Sequence, residues 1–380
     1  MSSRNSFIVV LALGALLGPA AALGGTVSEA VAGASRGAVS GSTPGSRGPG
    51  QYRYPTLRKV DNGPLPEGVK AVSAMAPYSS GDCSVCHQFS DPKKPGPVRK
   101  AGNALCYGCH EEFQEIMARR YKHPPAVVAC TNCHNAHDSR EKKLLHEEQA
   151  AQCFDCHKSI KAIAENAKVK HGALTTHRKC ANCHNPHGAN IEKLLTALPF
   201  DQCVGCHSVD GIKDWKGVKL TNYKDFLDEN KVWHKPVAAK DCSACHRTHG
   251  GDNFRLLVSQ YPSQFYAPYD LKNYALCYGC HNEKVVSVEQ TTTLTNFRDG
   301  SKNLHFVHVN KQERGRTCRA CHGVHAAKQD YRIREGVPYG TAGWVLKVNF
   351  TRTPTGGMCA KTCHDAKTYA NKSLSTAARK

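Results

Sequence analysis

The sequence predicts a chain of short α-helices and coil, with almost no β structure, wrapped around bound groups rather than around its own side chains. Three observations lead to this fold class. The 380 residues have a mean hydropathy of −0.49 and only 7% aromatic residues, which leaves little apolar material for a large core. Glycine (32 residues) and proline (19) interrupt most stretches that would otherwise continue as helices. The chain also carries 20 Cys and 21 His, an unusually high content for this length.

The chain begins with the pattern of an export signal. Arg4 precedes the apolar run 7–17, and Ala20-Ala21-Ala22 offers a small-residue cleavage site. The run is too short for a stable membrane span, and no later run approaches one. We therefore expect residues 1–22 to be a signal peptide and the mature protein to be exported, with no membrane span of its own. An N-terminal anchor is the alternative.

The next segment has the composition of a flexible linker. Gly, Ser, Ala and Pro dominate up to about residue 50, and such a sequence buries too little apolar surface to offset the entropy lost on ordering. We expect residues 23–74 to be flexible. The sequence divides the rest into a domain at 75–366, which holds every cysteine, and a C-terminal tail at 367–380.

Every cysteine belongs to one repeated motif. Nine copies read C-x-x-C-H, and a tenth, at 359–364, reads C-x-x-x-C-H. The paired cysteines are Cys83 and Cys86, Cys106 and Cys109, Cys130 and Cys133, Cys153 and Cys156, Cys180 and Cys183, Cys203 and Cys206, Cys242 and Cys245, Cys277 and Cys280, Cys318 and Cys321, and Cys359 and Cys363. The histidines that follow are His87, His110, His134, His157, His184, His207, His246, His281, His322 and His364.

C-x-x-C-H is the attachment motif for haem c. Two thiols three residues apart face the same side of a short turn, so both can add to the vinyl groups of one haem. The adjacent histidine then reaches the iron as the proximal ligand. Zinc ribbons and disulfides also explain paired cysteines, but neither requires a histidine after every pair. The ten motifs predict ten haems c, with the last bound through a wider loop.

The motifs are organised as repeated doublets. Counted from the first cysteine of motifs three, five and seven, a second histidine lies seven residues on and a Leu-Leu pair begins fourteen residues on. The next motif follows after 23 residues in two copies and after 35 in the third. Motif nine keeps the histidine at +7, whereas the first doublet has Ser90 there. Duplication explains this pattern.

This pattern closely resembles the doubled-CXXCH family of multihaem cytochromes c, over about residues 83–364. Ten motifs behind a signal peptide also resemble the decahaem periplasmic cytochromes of outer-membrane porin–cytochrome conduits, the MtrA/DmsE group. The resemblance implies electron transfer with redox protein partners, including an outer-membrane porin and an extracellular cytochrome. It also implies an exported protein in a periplasmic, outer-membrane-associated or extracellular location.

Eleven further histidines are candidates for the distal iron ligands: His123, His137, His146, His171, His177, His187, His234, His249, His305, His308 and His325. Ten haems with two histidine ligands each need ten of them, so we expect low-spin iron throughout. Each later doublet offers a ligand at +7 and one before its first motif, where the choice is between His171 and His177 in one doublet and between His305 and His308 in another. His146 and the unused member of each of these two pairs are left over. Two of the three left over would then serve the first doublet. Met75, which stands where other doublets have a histidine, is an alternative ligand for the first haem and would raise its potential.

The spacing of the motifs predicts a multihaem cytochrome c fold. Ten motifs lie within residues 83–364, about 28 residues for each, which is too few for a conventional core around every haem. The haems themselves would form the core of an elongated wire built from doublets. Apolar periodicity predicts helices at 111–122 and 158–169. We expect Trp215, Trp233 and Trp344 to pack against haems.

A chain of closely packed haems predicts electron conduction between periplasmic or outer-membrane partners, in respiratory or extracellular electron transfer, rather than catalysis. A multihaem reductase is one alternative, but such enzymes need an open iron and often a lysine in place of the motif histidine, and no C-x-x-C-K occurs. A second alternative is self-assembly into an extracellular filament whose subunits share haem ligands.

The basic composition does not indicate a nucleic-acid partner. Lys and Arg exceed Asp and Glu by 51 to 31, a net charge of +20. Each haem brings two propionates, so the excess is better explained as counter-charge to about 20 propionates. Few aromatic residues interleave with the basic ones, and no nucleic-acid motif accompanies them. We expect no nucleic acid among the partners.

Overall fold

The computed structural model describes residues 60–176, 178–340 and 344–372. The predicted signal peptide and residues 23–59 of the predicted flexible segment lie outside these ranges. Within them, no helix has the length and apolar character required to cross a membrane.

The described chain is built from short helices, as the frequent Gly and Pro predict, and none exceeds nine residues. Besides these α-helices, 3-10 turns form at the first motif of every doublet. The α-helices are α1 Ala76–Ser79, α2 Glu112–Ala118, α3 Pro124–Val128, α4 Gln149–Cys156, α5 Lys158–Asn166, α6 Pro199–His207, α7 Tyr223–Glu229, α8 Lys235–Ala238, α9 Ala275–Tyr278, α10 Lys284–Ser287 and α11 Leu304–Val309.

Both predicted helices are present but end early. The helix expected at 111–122 is α2, which stops at Ala118, and the one expected at 158–169 is α5, which stops at Asn166. In each case the residues that follow leave the helix to pair with another doublet. Tyr121 pairs with Ala189, and Val169 pairs with Gly251. Tertiary pairing therefore overrides the local helical pattern at these ends.

Two-residue strands join successive doublets. In three of the four junctions the strand that precedes one doublet pairs antiparallel with residues eight and nine after the first cysteine of the next doublet's leading motif, and in the fourth a single bridge joins Val169 to Gly251. A further short pair, β6 with β7, lies before α11. These strands are β1 Ser73–Ala74 with β3 Asp138–Ser139, β2 Tyr121–Lys122 with β4 Gly188–Ala189, β5 Val232–Trp233 with β8 Ala326–Ala327, and β6 Arg298–Asp299 with β7 Lys302–Asn303.

The C-terminal region contains more sheet than the sequence predicts. Four-residue strands form an antiparallel hairpin and a three-stranded antiparallel sheet, so the expectation of almost no β structure does not hold here. These strands are β9 Gly336–Tyr339 with β10 Trp344–Lys347, and β11 Phe350–Thr353 with β12 Gly356–Cys359 and β13 Lys367–Ala370.

Both ends of the described chain extend beyond the predicted domain limits of 75 and 366. Residues 60–74 are hydrogen-bonded to the third motif: the Leu65 N–H donates to Asp138 Oδ1 at 2.8 Å, and the Gly63 carbonyl accepts from Asn135 at 2.9 Å. At the other end, β13 occupies residues 367–370 of the predicted tail and pairs with β12. The described parts of the predicted linker and tail therefore belong to the folded unit.

The side-chain core is small. One cluster of buried hydrophobic residues lies in the later part of the chain and includes Leu257, Tyr261, Tyr274, Val286 and Val309. Two of these tyrosines come from the longer spacer between motifs seven and eight. Elsewhere at least one cysteine of each of the ten motifs lines one continuous cavity of about 5050 Å³. Because pockets for one small ligand reach only about 1,000 Å³, the cavity has room for several large groups.

Candidate haem-binding site

The backbone of the motif gathers its three functional side chains into one turn. In eight of the C-x-x-C-H motifs the histidine N–H donates to the carbonyl of the first cysteine, four residues earlier, at 2.8–3.1 Å. A single turn of this kind places residues three and four apart on the same side. All twenty thiols are free of disulfides. Each such motif can therefore offer two thiols and one imidazole to the same group.

The tenth motif has a different local structure. Cys359 ends strand β12, and Cys363 and His364 follow in a turn after the inserted residue. The His364 Nδ1 lies 2.6 Å from the carbonyl of Asp365. The first thiol of this motif is thus presented by a strand and the second by the turn that follows it, rather than both by one helical turn.

Nine of the ten motif histidines lie opposite a second histidine. The ring centroids are 6.0–6.4 Å apart, and the ring planes are within 24° of parallel in eight pairs and 42° apart in the ninth. The pairs, motif histidine first, are His87 with His137, His134 with His187, His157 with His123, His184 with His249, His207 with His171, His246 with His325, His281 with His234, His322 with His305, and His364 with His308.

This separation is the one expected for two ligands of a single metal ion. Parallel rings in face-to-face contact would lie only about 3.5–4.0 Å apart. Two imidazole nitrogens that bind one metal from opposite sides, at about 2.0–2.1 Å each, place the ring centroids about 6 Å apart. The nine pairs therefore fit a haem iron held between two histidines. When bound, the haem supplies one-electron redox chemistry.

Hydrogen bonds orient the proximal rings of the leading motifs. The Nδ1 atom of each of these five histidines lies 2.7–3.0 Å from the carbonyl oxygen nine residues further on. Because a carbonyl can only accept, Nδ1 carries the proton and Nε2 keeps its lone pair for the metal. The accepting residues are Gly96, Lys143, Lys193, Arg255 and Tyr331.

The accepting carbonyls depend on an unusual backbone turn. Lys143, Lys193, Arg255 and Tyr331 all have positive φ, between 51° and 60°, and Gly96 has a φ of 73°. Positive φ is uncommon for residues other than glycine and indicates a conformation imposed by the surroundings. Sequence reasoning missed these turns. The signal for them was the Leu-Leu pair, whose first leucine follows the turn residue in three of the doublets.

Burial keeps the distal imidazoles in the neutral form that a metal requires. Desolvation, with neighbouring histidines adding to it, lowers the pKa of His187, His305 and His325 to about 4. Desolvation also lowers the pKa of His123, His171 and His249. At neutral pH these rings therefore have an unprotonated nitrogen available for coordination.

The last two pairs depend on a buried asparagine that the sequence did not single out. Asn303 has no solvent exposure, and its side-chain oxygen accepts from the backbone N–H of His305 at the start of α11. Its amide donates to the carbonyls of Val285 and Val288. This anchors α11, which carries both His305 and His308 and presents them to two different motifs.

The pairing links doublets in a fixed order. The +7 histidine of motifs three, five, seven and nine faces the leading motif of the preceding doublet. The upstream histidines His123, His171 and His234 face the second motif of their own doublet. The sequence predicts that two of the leftover histidines face the motifs of the first doublet. The first motif instead has its His87 opposite His137, the +7 histidine of the second doublet.

Cysteines of successive motifs influence one another's pKa along the whole series. Between doublets, the first cysteine of the adjacent motif raises the pKa of Cys130, Cys153, Cys203 and Cys277, and these neighbours are Cys106, Cys180, Cys242 and Cys318 in the same order. Within doublets the second cysteine is close to the following motif. Burial raises the pKa of the Cys133 thiol, and the neighbouring Cys156 raises it further; Cys86, Cys183, Cys245 and Cys321 show the same coupling to the next motif.

Three predicted ligand residues remain outside the nine pairs. The ring of His110 faces Phe113 edge-on at 6.2 Å and faces no second imidazole among the described residues. The Nε2 of His146 lies 2.9 Å from the carbonyl of Thr131. His177 lies outside the described residues.

The three tryptophans differ in their contacts and exposure. Trp215 lines the cavity, and the Trp233 indole N–H donates to the Leu227 carbonyl at 3.1 Å. Trp344, in the C-terminal hairpin, is 73% exposed and does not line the cavity. The expectation that it packs against a haem is therefore wrong.

Comparison with known proteins agrees with this site. The family model described as the doubled CXXCH motif matches residues 76–115, 123–162, 171–211 and 234–286, just under half of the chain. A search of curated proteins finds no match. Together with the motifs, the four matches identify a multihaem c-type cytochrome, with covalently bound haem c and a role in electron transfer.

Proposed function

We propose that the chain binds ten haems c and conducts electrons along them, in sequence order, between redox partners at the periplasmic or outer-membrane face of the cell. The observation that carries this proposal is that at least one cysteine of each of the ten motifs lines one continuous cavity, and that nine motif histidines each face a second histidine. Because each cysteine pair anchors one haem, the shared cavity supports a series of neighbouring haems.

The histidine pairs favour electron transfer over catalysis. A reductase must leave a coordination position open for its substrate, whereas nine motif histidines already have a second histidine opposite. Two fixed axial ligands keep the iron coordination the same on reduction and oxidation, which suits a relay. The protein is then a conductor, exported by its N-terminal signal, and its partners are other redox proteins.

The number of haems is tested by intact-mass measurement of the purified holoprotein after secretion. The expected mass exceeds that of the mature polypeptide by ten haems. A variant with Cys359→Ser and Cys363→Ser provides the matched control, because it removes only the atypical motif and should lose one haem. A wild-type mass with nine haems, unchanged in this variant, would show that the tenth motif does not bind haem.

Conduction along one path is tested by film voltammetry with the protein anchored to the electrode through either terminus. The wild type should give the full ten-electron response from both ends. A variant that lacks the sixth haem, with Cys203→Ser and Cys206→Ser, should respond at fast scan rates with only the haems on the anchored side, about five from one end and four from the other. A nine-electron response from both ends would contradict a single linear path.

The same preparation distinguishes the cellular arrangements. We propose insertion into an outer-membrane porin, which predicts co-purification of a porin with the tagged protein from detergent-solubilised membranes. An elongated monomer by small-angle scattering agrees with a wire, whereas a compact particle does not. Filaments in negative-stain micrographs would instead favour self-assembly, with ligands shared between subunits.

A further inference from the structure

The second motif has no second histidine opposite it in the described chain, although every other motif does. We propose that Met75 is the distal iron ligand at this motif, paired with His110, so that one haem has His/Met ligation. The proposal rests on haem binding as proposed above. It differs from a methionine at the first haem, because His137 already faces His87 there.

The ligand of each later second motif occupies one defined place in the fold. His123, His171 and His234 face the second motifs of their doublets. Each lies two residues after a residue that pairs, antiparallel, with the ninth residue after a leading cysteine. These backbone pairs are Tyr121 with Ala189, Val169 with Gly251, and Val232 with Ala327.

Met75 occupies the same place in the first doublet. It lies two residues after Ser73, which pairs with Ser139, the ninth residue after Cys130. The register is therefore identical in all four junctions. By this rule the residue at position 75 belongs to the second motif of the first doublet, the motif of His110.

The hydrogen bonds at this place agree with the register. The backbone N–H of Met75 donates to the His137 carbonyl at 2.7 Å. The N–H groups of His123 and His234 donate in the same way to the carbonyls of His187 and His325, at 3.1 and 2.8 Å. In all three cases the acceptor is the +7 histidine of the next doublet.

A short helix with an early proline follows in the same three cases. Met75 precedes α1, His123 precedes α3 and His234 precedes α8. Each of these residues has an extended backbone and stands at the N-cap position. Met75 is half-buried and lines the same cavity as Cys106 and His110.

Methionine has the chemistry for this position. Its thioether is a soft ligand that binds haem iron in cytochromes c and raises the haem potential relative to a second histidine. The thioether carries no proton and has no need of the ring hydrogen bond that orients the histidines. Such a bond joins His171 Nδ1 to the Thr248 carbonyl at 2.7 Å.

His146 is a poorer ligand for the second motif. Its Nε2 lies 2.9 Å from the Thr131 carbonyl and must carry the proton to donate to it. In the oriented ligand histidines it is Nδ1 that donates, which leaves Nε2 free. His146 also has no equivalent in the next two copies, where Thr196 and Val258 stand at its offset.

Ligation by Met75 would give the second haem a higher reduction potential than its neighbours with two histidine ligands. A raised potential means that this haem holds an electron more tightly than the haems on either side of it. Such a site near one end of the series would collect an electron before passing it on. The effect is specific to the first doublet, because every other junction places a histidine there.

The test compares the holoprotein with Met75→His and Met75→Ala. The wild type should show a methionine–iron charge-transfer band in the red region of the ferric spectrum, and one strongly upfield-shifted methionine methyl resonance in the reduced protein. Both should vanish in both variants. Met75→His should remain fully low-spin and lose the highest-potential tenth of the redox titration, whereas Met75→Ala should gain high-spin ferric signal from one haem.

Matched controls exclude the other ligands. Met117→Leu changes another methionine that lines the cavity and should leave both methionine signatures intact, as should His146→Ala and His177→Ala. Loss of low-spin signal in His177→Ala, with no methionine signature in the wild type, would overturn the proposal in favour of that histidine. The number of bound haems distinguishes failure of this proposal from failure of the proposed function. Ten haems without a methionine signature refute only the assignment of Met75, whereas missing haems refute the proposed function. Equal haem content and far-ultraviolet circular dichroism in the variants show that they remain folded.

Discussion

The first and last doublets differ in which neighbouring doublet they lack. The leading motif of each interior doublet is completed by a histidine of the next doublet, as His187 of motif five completes motif three. The first doublet has a successor but no predecessor, and residues 60–74 cover its junction with motif three. The last doublet has no successor, so α11 supplies both of its distal histidines. Repeat proteins generally need such atypical end units.

The ends also differ in the structure that closes them. At the N-terminal end the closure is a loop with a few hydrogen bonds, among them His137 Nδ1 to the Asn62 carbonyl at 2.7 Å. At the C-terminal end it is a three-stranded sheet whose middle strand, β12, carries Cys359. The comparison teaches that a leading motif is completed across a junction in every doublet but the last, whereas the second motifs of the three interior doublets are completed within their own doublets.

The largest effect should come from removing a haem inside the series rather than at its end. Motif four has a motif on either side, since its Cys156 raises the pKa of Cys133 in motif three and its own Cys153 has its pKa raised by Cys180 of motif five, whereas motif ten follows motif nine at one end of the series. Replacing both cysteines by serine removes one haem in either case. We expect the motif-four variant to lose stability on the scale of a lost disulfide, about 2–5 kcal/mol, and the motif-ten variant to lose clearly less.

Thermal unfolding followed by haem absorbance measures this difference, with intact mass to show nine haems in both variants. Equal melting temperatures for the interior and terminal variants would show that neighbouring sites do not support one another.

The second effect concerns ligands that cross between doublets. In His187→Ala the haem of motif three should keep both thioether bonds but lose its distal ligand, because that ligand belongs to motif five. About one haem in ten should then become high-spin by electron paramagnetic resonance, with the haem count unchanged. His146→Ala is the matched control and should remain fully low-spin. A high-spin haem in motif five instead would contradict the crossed pairing.

This crossing explains how much of the site the sequence could predict. The attachment cysteines and proximal histidines form a local pattern, so C-x-x-C-H alone identifies them. Which histidine faces which motif is determined by tertiary contacts instead. His137 is three residues from His134 yet faces His87, fifty residues earlier, and no local spacing encodes that choice. The number of histidines was readable from the sequence, but their partners were not.

The fold was predictable to a similar extent. Gly and Pro content indicated short helices, but helix ends such as Ala118 are set by pairing with another doublet. The C-terminal sheet does have a local sequence signal, because residues 344–346 and 350–353 are rich in the aromatic and β-branched residues that favour strands. The contacts of residues 60–74 could not be inferred from composition, because they depend on partners distant in sequence such as Asp138.

A third effect tests the packing of an interior junction. A Cβ added at Gly188 would lie 2.5 Å from the Ile116 carbonyl oxygen and 3.3 Å from that of Tyr121, both backbone atoms that cannot move easily. Gly188→Ala should therefore destabilise the protein by about 1–3 kcal/mol in denaturant unfolding. Gly172→Ala is the control, because its Cβ would meet nothing within 4 Å. A loss of stability in Gly172→Ala as large as in Gly188→Ala would mean that the junction is not specially tight.

The smallest effect tests the closure of the N-terminal end. Asp138 is buried and accepts the backbone N–H of Leu65, at the position that Gly188 and Ala326 occupy in the other two strand-paired junctions. Asp138→Ala leaves that N–H without its acceptor and should cost about 1 kcal/mol, whereas Asp138→Asn keeps an acceptor oxygen and should cost less. Limited proteolysis of residues 60–74 reports the same change locally. The equivalent residues of the interior junctions have no carboxylate. Faster cleavage of Asp138→Ala with an unchanged number of haems would therefore show that the Asp138–Leu65 hydrogen bond holds residues 60–74 in place and is not needed for haem binding. Unchanged cleavage would contradict this role.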